Sequence, residues 1–324
     1  MFRTLLQPSP SDNKISHNSS IVTIGSCFAN TIGDKLIQNK FKALTNPFGV
    51  LFNPESIFKL LNYTIDNTVP EENTFLELDG VHKNFDFHSD FAAASQDELR
   101  LKIQGAIQSA RVYLEKADYL IITLGTSTIF TKKDTEQVVA NCHKVNSSEF
   151  TRSLLTVDSI LNAFQKFYQS LKFFNSNIKV ILTVSPVRHI KDTLEINNIS
   201  KSILRIAANE MQKMDDVQYF PAFEALIDDL RDYRFYTKDM LHPNEVAEDY
   251  IWSLFSDSYF DTKTKELMAK WNKVKKSLDH KPLQSFAHSY HDFQAGTLDQ
   301  LLALQKDIDV TKEIDKLQSR MGES

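Results

Sequence analysis

The stretch IVTIGSCFAN, residues 21–30, joins a short apolar run to a turn that carries two nucleophilic side chains. Apolar and β-branched residues at 20–25 predict a buried strand, and the segment after the turn has apolar residues at helical spacing. Gly25 permits a tight bend between them. The pattern predicts a strand, a turn and a helix, with Ser26 and Cys27 at the strand tip.

The same arrangement recurs along the chain. Further buried strands are predicted at 118–125, 177–186 and 217–223, with a short strand at 42–45. Long helical patterns lie at 96–116, 152–173 and 195–214. Strands that alternate with helices predict an α/β fold, a doubly wound and mainly parallel five-stranded sheet of the flavodoxin-like kind. Ligands bind outside the carboxyl ends of such strands, so the residues after each strand are the candidates.

The chain is predicted to divide into an α/β domain, residues 1–258, and a helical C-terminal extension, residues 259–324. Within the first part, 64–95 mixes turn residues with aromatic residues and lacks a helical period, which indicates an insertion or a lid. The extension is lysine-rich and amphipathic. Its helices could pack on their own domain or form a homo-oligomer with a second copy, and the sequence leaves both open.

Composition narrows the partners. A net charge of −5 gives no overall attraction to nucleic acid or to an anionic membrane, so neither is expected as a partner. No apolar run is long enough to span a bilayer, and the N-terminal residues do not resemble a secretory signal. The two cysteines, Cys27 and Cys142, lie far apart in the chain, which favours a reducing compartment. A cytoplasmic location is expected.

DMLHPN, residues 239–244, is a candidate for a base with its orienting acid. Asp239 lies three residues before His242, so its carboxylate can fix one imidazole nitrogen while the other faces a nucleophile. The alternative is that Asp239 caps a helix that begins near Pro243, with His242 incidental.

The turn at Cys27 is the candidate for the nucleophile. A helix N-terminus stabilises a thiolate and offers backbone N–H groups to an oxyanion, which suits acyl transfer. The alternative is a structural turn, in which Gly25 makes the bend, Ser26 caps the helix and Cys27 packs as a small apolar residue.

Other polar residues are expected to line the crevice near the strand tips: His88, Asn141, His143, Arg188 and His189. Arg188 either binds a substrate carboxylate or sugar oxygen or makes a structural ion pair. A zinc site built from the histidines and Cys142 lacks a short-spaced ligand pair, so neither a metal nor another cofactor is predicted.

Several stretches together resemble the GSCFA family and, through it, the wider SGNH (GDSL-like) hydrolases. They are FRTLL at 2–6, IGSCFANTIGDKL at 24–36, NPFGVLFNPESI at 46–57, DFHSDF at 86–91, LGTSTIF at 124–130, VANCHKV at 139–145, TVSPVRH at 183–189, LRDYRFYTKDMLHPN at 230–244 and YIWSLF at 250–255.

The resemblance to SGNH hydrolases implies particular roles. The register of the first block places Cys27 at the nucleophile position and Ser26 beside it, as the rival for that role. The last block, Asp-x-x-His, is matched by Asp239 and His242. The second-block glycine, a backbone donor to the oxyanion, is matched by Gly49.

The third block departs from the pattern. Its glycine is matched by Gly125, but its oxyanion-binding Asn is replaced near Thr126 or Ser127, whose hydroxyl groups can still donate a hydrogen bond. The implied function is an esterase or acyltransferase that acts on an acetylated glycan or another small acyl ester. The alternatives are a catalytically impaired binding module of the same fold and, more remotely, a metal-dependent hydrolase.

Overall fold

The computed structural model describes residues 3–191, 193–280 and 288–322. Phe2 of the family-like stretch FRTLL and residues 281–287 and 323–324 of the predicted extension lie outside the described residues. The strands are β1 Ser20–Gly25, β2 Lys42–Thr45, β3 Phe75–Leu78, β4 Val81–Asn84, β5 Ala92–Ala93, β6 Tyr119–Leu124, β7 Thr128–Lys132, β8 Val138–Val139, β9 Phe150–Leu154, β10 Lys179–Val184 and β11 Val217–Tyr219.

The helices alternate with these strands in the first three quarters of the chain and then follow one another. They are α1 Cys27–Gln38, α2 Pro54–Asp66, α3 Gln96–Glu115, α4 Val157–Phe174, α5 Leu194–Met211, α6 Ala222–Glu224, α7 Glu245–Tyr259, α8 Thr262–Asp279, α9 His288–Leu304 and α10 Thr311–Gly322. A π-helical turn at Ala225–Leu230 continues α6.

A central five-stranded sheet has the order β11-β10-β6-β1-β2. β6 pairs in parallel with both β1 and β10, and β10 pairs in parallel with β11. The predicted doubly wound, mainly parallel five-stranded sheet is thus confirmed. Numbered along the chain, the strands lie in the order 2-1-3-4-5, which reverses direction between β1 and β6. In sheets of this order the ligand crevice opens at that reversal.

The middle of the central sheet is buried on both faces. Every residue of β6 is buried, as are the last five residues of β1 and of β10. Strands covered by helices on both faces have continuous apolar sequences of this kind, which is why the strand predictions at 20–25, 118–125 and 177–186 are close to the observed bounds. The predicted short strand at 42–45 is β2.

Two small antiparallel sheets accompany the central one. The predicted insertion, 64–95, contains the end of α2 and then the sheet β3-β4-β5. The sheet β8-β7-β9 was not predicted, and β9 occupies the start of the helical pattern at 152–173. That helix begins only at Val157, because Thr156 and Ser159 form a capping box there.

The chain forms two compact units. The first comprises Ser20–Asp34, Ala43–Leu254 and the described residues up to Pro8, and it contains most of the central sheet. The second comprises Ser9–Ser19, Lys35–Lys42 and the described residues from Phe255 onward. It has an apolar cluster of its own, formed by Trp271, Val274, Leu301, Leu304, Ile308, Val310, Ile314 and Leu317.

Among the helices in the described parts of the chain, none is both long enough and apolar enough to cross a bilayer.

The bend after β1 depends on the absence of a side chain at Gly25. Its φ is +132°, a conformation that residues with a Cβ rarely adopt. A Cβ at this position would lie 2.1 Å from the carbonyl oxygen of Thr123 on the neighbouring strand. The Gly25 N–H donates to Oδ1 of Asn46 at 2.8 Å, and its carbonyl accepts from the N–H of Leu51 at 2.8 Å. The close approach to Thr123 and the two hydrogen bonds together fix the position of the strand tip.

Gly25→Ala should lower the free energy of unfolding by more than ~2 kcal/mol, because backbone strain adds to the contact with Thr123. The urea-unfolding midpoint, followed by circular dichroism, measures the effect. Gly105→Ala is the matched control, since Gly105 lies within α3 with open space around it. That change should be neutral or stabilising by up to ~1 kcal/mol. Equal midpoints for the two variants would contradict the role given to Gly25.

Candidate active site

Cys27 is the first residue of α1, directly beyond the tip of β1. Ser26 lies between strand and helix and is fully buried. Its N–H donates to the Thr123 carbonyl at 3.1 Å, and its Oγ accepts from the N–H of Phe28 at 3.3 Å. The described contacts of the Ser26 hydroxyl therefore make it a helix cap, and the half-buried thiol of Cys27 is the side chain that faces outward.

A chain of three side chains begins at this thiol. Sγ of Cys27 lies 3.7 Å from Nε2 of His242, and Nδ1 of His242 lies 2.6 Å from Oδ2 of Asp239. The thiol and the imidazole are 215 residues apart in sequence, and the doubly wound sheet brings them together. Both His242 and Asp239 have 45% of their side-chain surface exposed, so the far end of the site is open to solvent.

The Asp239 carboxylate is held by donors from its own loop. Its Oδ1 accepts from Oγ1 of Thr237 at 2.6 Å and from the N–H groups of Leu241 and His242 at 2.8 and 3.1 Å. These hydrogen bonds, with that of Thr237 the largest, hold the pKa of Asp239 well below its usual range. The carboxylate stays charged, and its free Oδ2 fixes the imidazole of His242.

Arg188 supports this loop from outside. Its guanidinium lies over the rings of Tyr236 and Tyr233, 4.3 and 5.1 Å from their centroids, and donates to the carbonyl of Met240 at 3.3 Å. Its N–H donates to the carbonyl of Leu241 at 3.2 Å. The described partners of Arg188 are loop carbonyls and aromatic rings, and no carboxylate among the described residues forms the alternative structural ion pair. Its predicted binding of a substrate carboxylate or sugar oxygen stays a prediction.

The thiol of Cys27 is in a mixed electrostatic environment. Burial raises its pKa, whereas the N–H groups of Cys27 and Phe28 at the helix N-terminus and the ammonium of Lys201 lower it. The carboxylate of Glu248 on α7 raises it again. Because burial dominates, the thiol needs a neighbouring base to become nucleophilic, and Nε2 of His242 is in position to serve.

The predicted oxyanion donors differ in their hydrogen-bond partners within the protein. The N–H of Gly49 donates to the Asn46 carbonyl at 2.9 Å, and the N–H of Gly125 donates to the Phe52 carbonyl at 2.8 Å. Both N–H groups are therefore engaged within the protein. Ser127 is fully buried, with an Oγ that has no hydrogen-bond partner among the described residues. Thr126 is half-buried, with a hydroxyl 2.9 Å from Oγ of Ser200.

His189 lies close to Gly125, the residue directly after β6. Its ring packs edge-on against Phe52 with centroids 5.1 Å apart, and its Nε2 is 3.2 Å from where a Cβ on Gly125 would lie. That nitrogen is buried without a hydrogen-bond partner among the described residues. Burial, together with the charges of Lys201 and His242, lowers the pKa of His189 to about 3. The imidazole is neutral at physiological pH.

Of the remaining polar candidates, His143 and Asn141 contact each other, whereas His88 contacts Asp90. Nε2 of His143 lies 2.7 Å from the Asn84 carbonyl, and the His143 N–H donates to Oδ1 of Asn141 at 2.9 Å. Nδ1 of His88 lies 3.1 Å from Oδ2 of Asp90. Among the described hydrogen bonds, none joins these residues to the thiol, imidazole or carboxylate of the three-residue chain. Their proposed place in the crevice stays a prediction.

Within residues 3–191, 193–280 and 288–322, no group of three or more His, Cys, Asp or Glu side chains is arranged to hold a metal ion.

Lys201 is the main residue near the site that sequence reasoning missed. It lies on α5, only 2% exposed, with its Nζ donating to the carbonyl oxygens of Gly125 at 2.6 Å and Ser185 at 2.8 Å. A signal was present in the sequence. The buried face of α5 repeats at helical spacing, and the lysine falls within that repeat: Asn197, Ser200, Lys201, Leu204, Ala207, Ala208 and Met211.

Comparisons with known proteins identify the relatives of the chain. The model of the GSCFA family matches residues 20–255, and the model of the GSCFA domain protein, C-terminal domain, matches residues 271–323. A comparison with curated proteins gives no match.

Solved structures to which the chain is similar are distant. One is a Streptococcus pneumonia protein described provisionally as a platelet activating factor, at 13% identity and a TM-score of 0.39, with 74% of this chain and 83% of that chain covered. Another is a carbohydrate esterase of family 3 from Talaromyces cellulolyticus, at 10% identity and 0.35, covering 78% and 98%. A third is an acetyl xylan esterase from Butyrivibrio proteoclasticus, at 15% identity and 0.30, covering 80% and 64%.

Ser26→Ala should destabilise the protein by about 1 kcal/mol through loss of the helix cap, and should leave the alkylation rate of Cys27 by iodoacetamide within about twofold of the wild type. Urea unfolding and mass spectrometry of the Cys27 peptide measure the two effects. A more than tenfold fall in alkylation rate in the folded variant would show that the Ser26 hydroxyl takes part in activating the thiol.

Proposed function

We propose that this chain, which belongs to the GSCFA family, is an acyl-ester hydrolase or acyltransferase that uses Cys27 as nucleophile, His242 as base and Asp239 as the orienting acid. The observation that supports this most is the continuous chain of contacts, 3.7 Å from Sγ to Nε2 and 2.6 Å from Nδ1 to Oδ2. A nucleophile, a base and an anion that orients the base are the parts that acyl transfer requires.

The first half-reaction forms a thioester. The Sγ of Cys27 attacks the ester carbonyl carbon as its proton passes to Nε2 of His242, and Asp239 stabilises the imidazolium through Nδ1. The tetrahedral intermediate then expels the alkoxide, which takes the proton from Nε2 and leaves as an alcohol. Cys27 keeps the acyl group, and His242 is again neutral.

Two donors are proposed for the oxyanion, the N–H of Cys27 and the hydroxyl of Thr126. The first N–H groups of a helix have no carbonyl partner within it, so the Cys27 N–H is available. Oγ1 of Thr126 accepts from the N–H of Thr128 at 3.0 Å, and Oγ of Ser200 accepts from the N–H of Ser127 at 2.7 Å. If Ser200 gives its one proton to Thr126, the proton of Thr126 is left for the oxyanion.

The second half-reaction releases the acyl group. Nε2 of His242 takes a proton from water or from a hydroxyl acceptor, whose oxygen attacks the thioester carbonyl and displaces the Cys27 thiolate. With nearly half of its side-chain surface exposed, His242 can be reached by either acceptor. We propose a small acyl ester, such as an acetylated glycan, as the substrate. The acceptor decides between hydrolysis and transfer.

The second candidate is a binding module that keeps the crevice without turnover. The replacement of the third-block Asn by Thr126 favours it, because an oxyanion donor with a longer arm is lost. The intact contact between Cys27 and His242 favours the enzyme. If the protein is a binding module, the wild type shows no turnover, and the Cys27→Ala variant keeps the ligand affinity of the wild type.

A cytoplasmic location remains part of the proposal. Neither Cys27 nor Cys142 takes part in a disulfide. A nucleophilic thiol must stay reduced to work, and reducing compartments supply that condition.

Purified protein should hydrolyse p-nitrophenyl acetate, and Cys27→Ala and His242→Ala should each lower kcat/KM at least ~100-fold by removing the nucleophile or the base. Release of p-nitrophenol measures the rate. Cys142→Ala is the matched control: Cys142 packs beside an apolar cluster, and burial raises its pKa, so this variant should keep wild-type activity. Full activity in a folded His242→Ala variant would exclude His242 as the base.

Thr126→Val should lower kcat by about 100-fold with little change in KM, because the lost hydroxyl acts only on the oxyanion, whereas Thr126→Ser should retain most of the activity. Steady-state kinetics on the same ester measures the two constants. Thermal unfolding of each variant serves as the control for the lost hydrogen bond to Thr128. A kcat within twofold of the wild type for a folded Thr126→Val variant would remove Thr126 from the oxyanion site.

A further inference from the structure

A buried cation lies beneath the candidate site, and the proposed mechanism leaves it without a role. The Nζ of Lys201 donates to the carbonyl oxygens of Gly125 and Ser185, the residues directly after β6 and β10. Those strands are neighbours at the centre of the sheet. The ammonium therefore lies under two strand tips, next to the strand whose tip carries Cys27.

Burial of the Lys201 ammonium costs free energy, and its two carbonyl partners offset only part of that cost. Lys201 is 2% exposed, and among the described residues no carboxylate lies within ion-pair distance of its Nζ. Two neutral carbonyls satisfy part of its hydrogen-bonding capacity but supply no opposite charge. Burial accordingly lowers the pKa of Lys201 to about 7, and the thiol of Cys27 acts in the opposite direction.

The ionisable groups around the thiol come from separate elements. His242 approaches from its loop, Glu248 from α7 and Lys201 from α5, while His189, in the loop after β10, faces Lys201 and His242. Glu248 disfavours a thiolate and accepts a hydrogen bond from Oγ1 of Thr31 at 3.2 Å. The imidazole of His189 is neutral. Lys201 is thus the buried group whose charge, when it is protonated, favours the ionised form of Cys27.

We infer that Lys201 is a positioning residue whose ammonium, held by the carbonyls of Gly125 and Ser185, is the buried counter-charge of the Cys27 thiolate. The inference rests on the proposed function only for the use of that thiolate. When the Cys27 proton passes to Nε2 of His242, a thiolate and an imidazolium form, and Lys201 stabilises the thiolate from below. The same attraction assists departure of the thiolate when the thioester is cleaved.

The direct test is the pH dependence of Cys27 alkylation by iodoacetamide, measured in a Cys142→Ala background so that one thiol reacts. Lys201→Met removes the charge and the donors. Lys201→Gln removes the charge but keeps a donor for the strand-tip carbonyls. Loss of an attractive charge lowers the thiolate fraction only where Lys201 is protonated, so both variants should alkylate Cys27 about tenfold more slowly than the wild type at pH 6 and at nearly the wild-type rate at pH 10.

The Gln variant separates electrostatics from structure. An unchanged alkylation rate at pH 6 in a folded Lys201→Gln variant would overturn the inference, because a purely structural lysine would be replaced by the amide without effect on the thiol. Ester hydrolysis is recorded in parallel. If Cys27→Ala keeps that activity, the proposed function fails, whereas the alkylation profile still reports on Lys201.

A second measurement needs no substitution of the lysine. Coupling between two sites is reciprocal, so a permanent negative charge in place of the thiol should raise the pKa of Lys201. Carbon-13 NMR of labelled lysine Cε in Cys27→Asp and in the neutral control Cys27→Ser, in the same Cys142→Ala background, follows the Lys201 titration. A higher midpoint in Cys27→Asp than in Cys27→Ser supports the pair. Identical midpoints would contradict it, whether or not the Lys201 variants fold.

Discussion

The close approach of Gly25 to Thr123 is the constraint on which the site depends. A Cβ at position 25 would not fit between the tip of β1 and the backbone of β6. Because glycine has no Cβ, the chain can bend there, at the point where the order of strands in the sheet reverses. The bend sets the first turn of α1, which in turn puts the Cys27 thiol beyond the tip of β1, 3.7 Å from Nε2 of His242. Asn46 secures the bend through the Gly25 N–H. A backbone conformation that favours glycine thus fixes the position of the proposed nucleophile.

The electrostatics of the site follow from this placement. A thiol at the end of a buried strand loses solvation, which raises its pKa, and the helix N-terminus and Lys201 offset that loss only in part. The proposed base, His242, lies beside the thiol, and four hydrogen bonds hold the Asp239 carboxylate behind it in its charged form. The three groups differ in burial. The charged Asp239 is partly exposed, the thiol of Cys27 is half-buried and Lys201 is fully buried.

Much of this could be predicted from the sequence, for identifiable reasons. Buried parallel strands have apolar sequences, so β1, β6 and β10 could be predicted from their residues alone. Asp239 and His242 are neighbours in sequence, and their local geometry could be inferred from spacing. Short antiparallel strands such as β9 carry a weak signal, and FTRSL fits a helix equally well until its pairing with β7 is known. Lys201 was missed because charge on a helix is usually assigned to its solvated face.

The central claim is that Cys27 becomes acylated during turnover. Rapid acid quench of the protein with p-nitrophenyl acetate, followed by peptide mass spectrometry, tests it directly. The account predicts one acetyl group on the peptide that contains Cys27, removed by neutral hydroxylamine as a thioester is and absent from Cys27→Ala. Ester cleavage with no acetyl group on that peptide, or with a hydroxylamine-resistant acetyl group on Ser26, would contradict it.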